Sequence, residues 1–384
     1  MTGALSARAL RVLDHEFSAA VGICAGVVAA LAWSALSGPT YQHVMNATWS
    51  GPVANSLDIT SLHSLISSGL ITIFFFVVGL ELARELQSKA FASSRDVVAP
   101  ILGAIGGMAA TALLAIGVGV VVNSAPLRRG WGIPMATDIA FTLGLLAVAG
   151  RHLPSQLRLF LLTLAIADDV FSIAVLSVTG VLHVRTSGLG AVVVALVSLG
   201  WASRRRTGIA WRLIVLVVLW VALAWARVEP PLAGVLAGLV VPFDHHALHL
   251  ERQVRRTSVG VILPVFALAS CGVAWSTLSL HRPVVTIVIA TIGIRIVGKV
   301  VGITGGVALA RRLHYQLHPS LTMPLLAAAS VLCAIGLTVP LLFAGVLFAP
   351  TSSTYGAFTI GLLLTSLLAT VGGVALIRAQ SHRH

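Results

Sequence analysis

The sequence predicts an all-α polytopic membrane protein with about twelve transmembrane helices. Three observations carry that expectation. Of 384 residues, 57% are hydrophobic and only 10% charged, too few charges to clothe a soluble globule. The mean hydropathy is +0.98. The charges gather in short clusters between apolar runs of roughly 17 to 25 residues, the length that crosses a hydrocarbon core.

Taken in order, the apolar runs cover 17–36, 62–83, 97–123, 132–150, 156–182, 188–202, 209–226, 231–243, 258–276, 284–310, 323–348 and 355–378. Glycine, proline and charge clusters separate them. Arg8, Arg11, Asp14 and Glu16 precede the first run, which reads as a retained helix because no small-residue cleavage site follows it. Ser37 to Ser61 is the longest outer connection, and the β-branched and aromatic residues of Tyr41–Trp49 suit either a small hairpin turning near Asn46 or an irregular loop. The eighth run is too short to cross alone. The fourth carries Gly132 and Pro134 just before Thr137-Asp138, and the eleventh carries Ala334-Ile335-Gly336-Leu337-Thr338 with Pro340. Both are expected to break, and a break at membrane depth is tolerated where it lines a cavity.

The 25 Lys+Arg against 12 Asp+Glu would suit a nucleic-acid partner were they not sorted by membrane side. With an even number of spans, 18 basic residues fall on the side of the termini and five (Arg128, Arg129, Arg185, Arg227, Arg282) on the other. The positive-inside rule puts both termini in the cytoplasm and argues against nucleic acid. Cys24, Cys271 and Cys333 lie far apart in apolar runs, so neither a disulfide framework nor a zinc site is expected. Residues 1–384 read as one integral transport domain with short tails at about 1–16 and 379–384, requiring no cofactor.

Ionisable groups inside a span are costly and mark function by default. Asp138, Asp168, Asp169, Arg295 and Lys299 are such groups. Neighbouring residues on a helix project about 100° apart, so Asp168 and Asp169 cannot share one partner. One is expected to pair with Lys299 while the other faces a cavity as a cation ligand and proton carrier. Oxygen-only ligation suits a hard ion such as Na⁺ or Li⁺. A structural ion pair that fixes helix register is the plain alternative, but it has no need of a third acid.

The segments Phe75-Phe76-Val77-Val78-Gly79-Leu80-Glu81-Leu82-Ala83-Arg84-Glu85-Leu86, Ala136-Thr137-Asp138-Ile139-Ala140-Phe141-Thr142-Leu143-Gly144, Ala165-Ile166-Ala167-Asp168-Asp169, Ile262-Leu263-Pro264-Val265-Phe266-Ala267 and Gly298-Lys299 resemble, in that order, the NhaA family of sodium/proton antiporters. The resemblance runs from about Phe17 to Arg378 and implies inverted repeats with two crossed broken helices, Pro134, Ala334 and Gly336 lying at the crossing. It implies electrogenic exchange of about two protons for one Na⁺ or Li⁺ in a bacterial inner membrane by a homodimer. Asp169 then looks like the principal cation ligand and proton carrier, with Asp168 as the second titrating acid paired to Lys299. Asp138 would offset positive helix ends and Thr137 would lend an oxygen. Glu81, Glu85 and Glu251 match positions of a cytoplasmic pH-regulatory cluster, with His245, His246 and His249 nearby.

The chain departs from the family pattern at Ser67-Ser68-Gly69, where an acid is usual, at Glu229-Pro230-Pro231, at Ser270-Cys271-Gly272, at Val300 after Lys299, and at Arg295 one helical turn before it. Arg295 is expected either to compete with Lys299 for Asp168 or to face outward. Two other functions compete with transport: an antiporter-shaped sensor that has lost exchange, and an intramembrane aspartyl protease using Asp138 with Asp168 or Asp169. The protease reading gives Lys299 no task.

Overall fold

The computed structural model describes the chain apart from residues 1–19, 52–58, 88–93, 139–140, 143–144, 147–152, 180–185, 204–207, 227, 229, 241–244, 277, 279–280, 316 and 382–384. The described residues are mostly helical and contain no strand, only an isolated bridge between Thr48 and Ser61. In chain order the helices are α1 (Ala20–Leu36), α2 (Gly38–Asn46), α3 (Ile71–Gln87), α4 (Ser94–Val121), α5 (Ala125–Arg129), α6 (Ser155–Thr179), α7 (Thr186–Ser203), α8 (Ile209–Ala226), α9 (Leu232–Val240), α10 (His245–Thr257), α11 (Leu263–Ser270), α12 (Arg282–Arg312), α13 (Met323–Leu332), α14 (Thr338–Leu347) and α15 (Ser353–Ser381).

Six helical stretches are long and apolar enough to span a bilayer, and a seventh is reached if α1 and α2, bent by 118° at Ser37, are one span. The chain is a multi-pass membrane protein. The expected runs 231–243, 258–276 and 323–348 hold only short helices or pairs of them. The expected hairpin or irregular loop is corrected. Gly38–Asn46 is helical, because Pro39 opens it at its second position, and pairing begins only at Thr48, where Trp49 N donates to Thr60 O.

The chain divides into two compact units. One comprises Met1–Val21, Ala92–Ser172 and Val273–His384; the other comprises Gly22–Phe91 and Ile173–Gly272. In the first, α4 and α12 pack backbone to backbone. A Cβ added at Gly106 would strike Gly302 O, and one at Gly302 would strike Gly106 O. Without a hydrophobic force between helices in lipid, small residues of this kind allow the close approach that dispersion rewards. The long helix α12 thereby brings Arg295 and Lys299, both fully buried, into the unit's interior. Helix α15 covers the other side of α12, with Gly361 against Thr291.

In the second unit α3 meets α9 the same way, Gly79, Gly234 and Gly238 replacing side chains at the contact. Phe76, Leu80, Leu219, Leu223 and Ala237 fill the space around it. A π-type turn over Leu65–Leu70 precedes α3. Such a turn frees a carbonyl from the helical ladder, and Trp220 Nε1 donates to the Ser68 carbonyl at 3.0 Å. Tyr41 on α2 holds its hydroxyl 2.8 Å from the carbonyls of Leu268 and Ala269 while Gly272 N donates to it at 3.2 Å. One phenol thus occupies carbonyls that α11 leaves open at its end. Gly272 is required there, since a Cβ would overlap the ring.

Candidate functional site

Every group of the candidate ion site lies in the first unit. Asp168 and Asp169 sit in the middle of α6, fully or almost fully buried. Asp168 Oδ2 accepts from Lys299 Nζ at 2.8 Å. Its other oxygen, Oδ1, has no hydrogen-bond partner, and neither has Asp169 Oδ1. Asp169 is within electrostatic reach of Asp168, Asp138 and Lys299. An ionised carboxylate in such a place is unfavourable until a proton or a cation neutralises it.

The fourth and eleventh runs leave helical geometry beside this pair. Residues 130–135 form turns, with Ile133 N donating to Gly130 O, and 136–138 have no regular structure. Helix α13 stops at Leu332, and α14 starts only at Thr338. The two irregular stretches touch. Asp138 N donates to Ile335 O at 2.9 Å, and the Thr137 hydroxyl donates to Cys333 O at 2.8 Å. Backbone groups freed by the breaks therefore satisfy one another away from water. The Asp138 carboxylate accepts from the Thr338 hydroxyl at 3.2 Å and from Phe141 N at 3.5 Å; Thr338 opens α14, and negative charge is favoured at a helix start.

Asp138 and Asp168 both act electrostatically on Asp169. Among the described residues no group of three or more His, Cys, Asp or Glu is arranged to hold a metal ion. Arg295 neither competes for Asp168 nor faces outward. Its Nε donates to Ala334 O at 2.9 Å and its Nη2 to Ala136 O at 2.8 Å. Pro134 and Gly336 flank these acceptors, and a Cβ at Gly336 would collide with the Arg295 guanidinium and with Ala136 O. Thr338 as a partner of Asp138 and Arg295 as a clamp on the breaks were not foreseen. The i,i+4 spacing of Arg295 and Lys299 placed both on one helix face, and that was the available signal.

A second charged cluster lies in the other unit. Arg84 joins Glu251 at 2.6 Å and Glu81 at 3.4 Å, while Arg255 stands 3.1 Å from Glu81 and 4.0 Å from Glu251. Both glutamates are buried. Burial raises the Glu251 carboxyl above the usual range, opposed by Arg84 and Arg255 and reinforced by Glu81. His249 is exposed. The side chains of Glu85, His245 and His246 lie outside the described residues.

A multi-pass helical protein with paired acids and a lysine buried beside two helix breaks belongs to the class of membrane ion carriers, and comparison with known proteins narrows that class. Residues 10–377 match the family described as Na+/H+ antiporter 1, and the chain belongs to it. It is 36% identical to Na(+)/H(+) antiporter NhaA 1 of Kineococcus radiotolerans, over 94% of this chain and 87% of that one. It is 35% identical to Na(+)/H(+) antiporter NhaA 2 of Novosphingobium aromaticivorans, over 91% and 88%, and 35% identical to Na(+)/H(+) antiporter NhaA of Yersinia pseudotuberculosis, over 93% and 92%. These relatives are named as transporters, not enzymes.

Proposed function

We propose that the chain is an electrogenic antiporter that expels one Na⁺ or Li⁺ for about two protons drawn inward. The observation that carries this reading is the buried Asp168–Lys299 pair at 2.8 Å, with Asp169 next in sequence and its Oδ1 unpartnered. Asp169 is the principal ligand, and Asp168 the second acid. A proton and a sodium ion compete for the same oxygens, so binding one expels the other. If only loaded forms change access, competition becomes exchange.

Lys299 is the counter-ion of Asp168 in the absence of sodium. When a cation arrives, Asp168 can turn an oxygen to it and the pair loosens. Asp138 and Thr137 balance and line the crossing of two broken helices at Pro134, Ala334 and Gly336, a reading supported by the contacts between 137–138 and 333–335. Glu81, Glu85 and Glu251 tune the pH response, supported by the shared arginines of the two buried glutamates. The chain acts as one transport domain of a bacterial inner membrane, both termini cytoplasmic, as a homodimer and without a cofactor. An aspartyl-protease dyad fits poorly, since Asp168 faces Lys299 and Asp138 faces Thr338.

The test is dissipation of a pH gradient by full-length protein in proteoliposomes on adding Na⁺, Li⁺ or K⁺ across the neutral to alkaline range. Dissipation by Na⁺ and Li⁺ but not K⁺ is expected. Silence at every pH from folded protein would favour a sensor that has lost exchange.

A further inference from the structure

Arg295 is one of the largest fully buried side chains in the molecule, yet the ion pair that explains Lys299 does not explain it. All three of its hydrogen bonds go to backbone carbonyls: Ala334 O at 2.9 Å, Ala136 O at 2.8 Å and Ile133 O at 3.5 Å. Ala334 directly follows the last turn of α13, its own N donating to Val331 O. Ile133 lies within the turns of residues 130–135, and Ala136 is the residue that follows them. Ala334 thus stands at a helix end, where unpaired carbonyls concentrate negative partial charge, and the carbonyls of Ile133 and Ala136 belong to a stretch without a helical ladder, where they need donors from elsewhere. Asp138 in turn accepts from Thr338 and Phe141. An acid therefore meets the start of α14, and a guanidinium meets the carbonyls after α13 and those of the irregular stretch 133–136.

We propose that Arg295 is a positioning residue that supplies the permanent positive charge at the open carbonyls of both interrupted segments, leaving the Lys299 charge to answer only to Asp168 and Asp169. The inference rests on the antiport reading above. A guanidinium suits this task because it presents a planar fork of donors and does not lose its proton in any working pH range. Its charge stays constant while the neighbouring carboxylates titrate and bind cation. The groups facing it are Asp138 and Asp168, whose charges it feels, with Lys299 one turn along α12 and the Cys333 thiol beside Ala334. Gly336 leaves the room the guanidinium occupies.

The experiment compares Na⁺-driven dissipation of a pH gradient, as a function of pH and sodium concentration, for the reconstituted full chain, Arg295→Gln and Arg295→Lys. Glutamine keeps a hydrogen-bond donor but removes the charge, so protons compete better for the carboxylates. The Arg295→Gln profile is expected to move up by about one pH unit, with a several-fold higher half-saturating sodium concentration at fixed pH. Arg295→Lys is expected to keep the wild-type profile. An unshifted Arg295→Gln profile, or an equal shift in Arg295→Lys, would overturn the inference. An inactive wild-type chain would overturn the antiport reading instead. Should Arg295→Gln fail to fold, the double variant Lys299→Gln with Asp168→Asn decides by thermal melting. A folded double variant supports Arg295 as the holder of the breaks, and a collapsed one assigns that task to Lys299.

Discussion

Lys299 Nζ and Asp168 Oδ2 stand 2.8 Å apart with both side chains wholly buried, while the neighbouring Asp169 keeps one carboxylate oxygen without any partner. Two adjacent acids thus have opposite circumstances. One is neutralised by the protein. The other keeps an oxygen that no protein group satisfies.

Asp169→Asn is expected to reduce sodium- and lithium-driven dissipation of a pH gradient to the background of empty liposomes. The amide cannot take up or release the proton that exchange requires, although it preserves shape. Substantial activity in the variant would put the ion elsewhere.

Lys299→Ala leaves a buried carboxylate unpaired, a change that typically costs about 3–5 kcal/mol. The melting temperature should fall clearly. In surviving protein, removal of the positive charge favours protons over sodium at the site, so activity should begin at higher pH. A profile that does not move would show that the pair has no part in exchange.

The pH response has its own test at Glu251. Burial raises its carboxyl above the usual range, so the folded state favours the protonated form and that contribution is lost as pH rises through the raised value. Over the same interval deprotonation turns on attraction to Arg84 and Arg255. Glu251→Gln is expected to flatten the dependence of transport on pH while exchange persists. Loss of transport at every pH would contradict a regulatory role.

Close packing of α4 on α12 predicts a contrast within one helix. Gly302→Ala drives a methyl into the Gly106 backbone, and overpacking of this kind costs about 1–3 kcal/mol. At Gly305, where nothing lies within 4 Å of an added Cβ, alanine should be neutral or stabilise by up to about 1 kcal/mol. Equal melting temperatures for the two variants would mean that the helices are not in backbone contact.

The sequence by itself determined that the chain lives in a bilayer, that charged residues inside its spans needed explaining, and that runs four and eleven were interruptible. Hydropathy, charge placement and the Gly/Pro positions are local properties that survive without a fold. Which groups meet was not local. Asp168 and Lys299 are 131 positions apart, and the backbone contact of Gly106 with Gly302 brings α4 and α12, the helix that carries Lys299, together. The helix over Gly38–Asn46 was misread as a hairpin or loop because β-branched and aromatic residues fit either. Arg295 was taken as Lys299's rival or as an outward-facing side chain because a sequence shows side-chain charge and hides unpaired carbonyls. Only the tertiary structure decided that open carbonyls of two interrupted segments converge on one guanidinium, since backbone polar groups removed from water must find partners wherever the chain brings them.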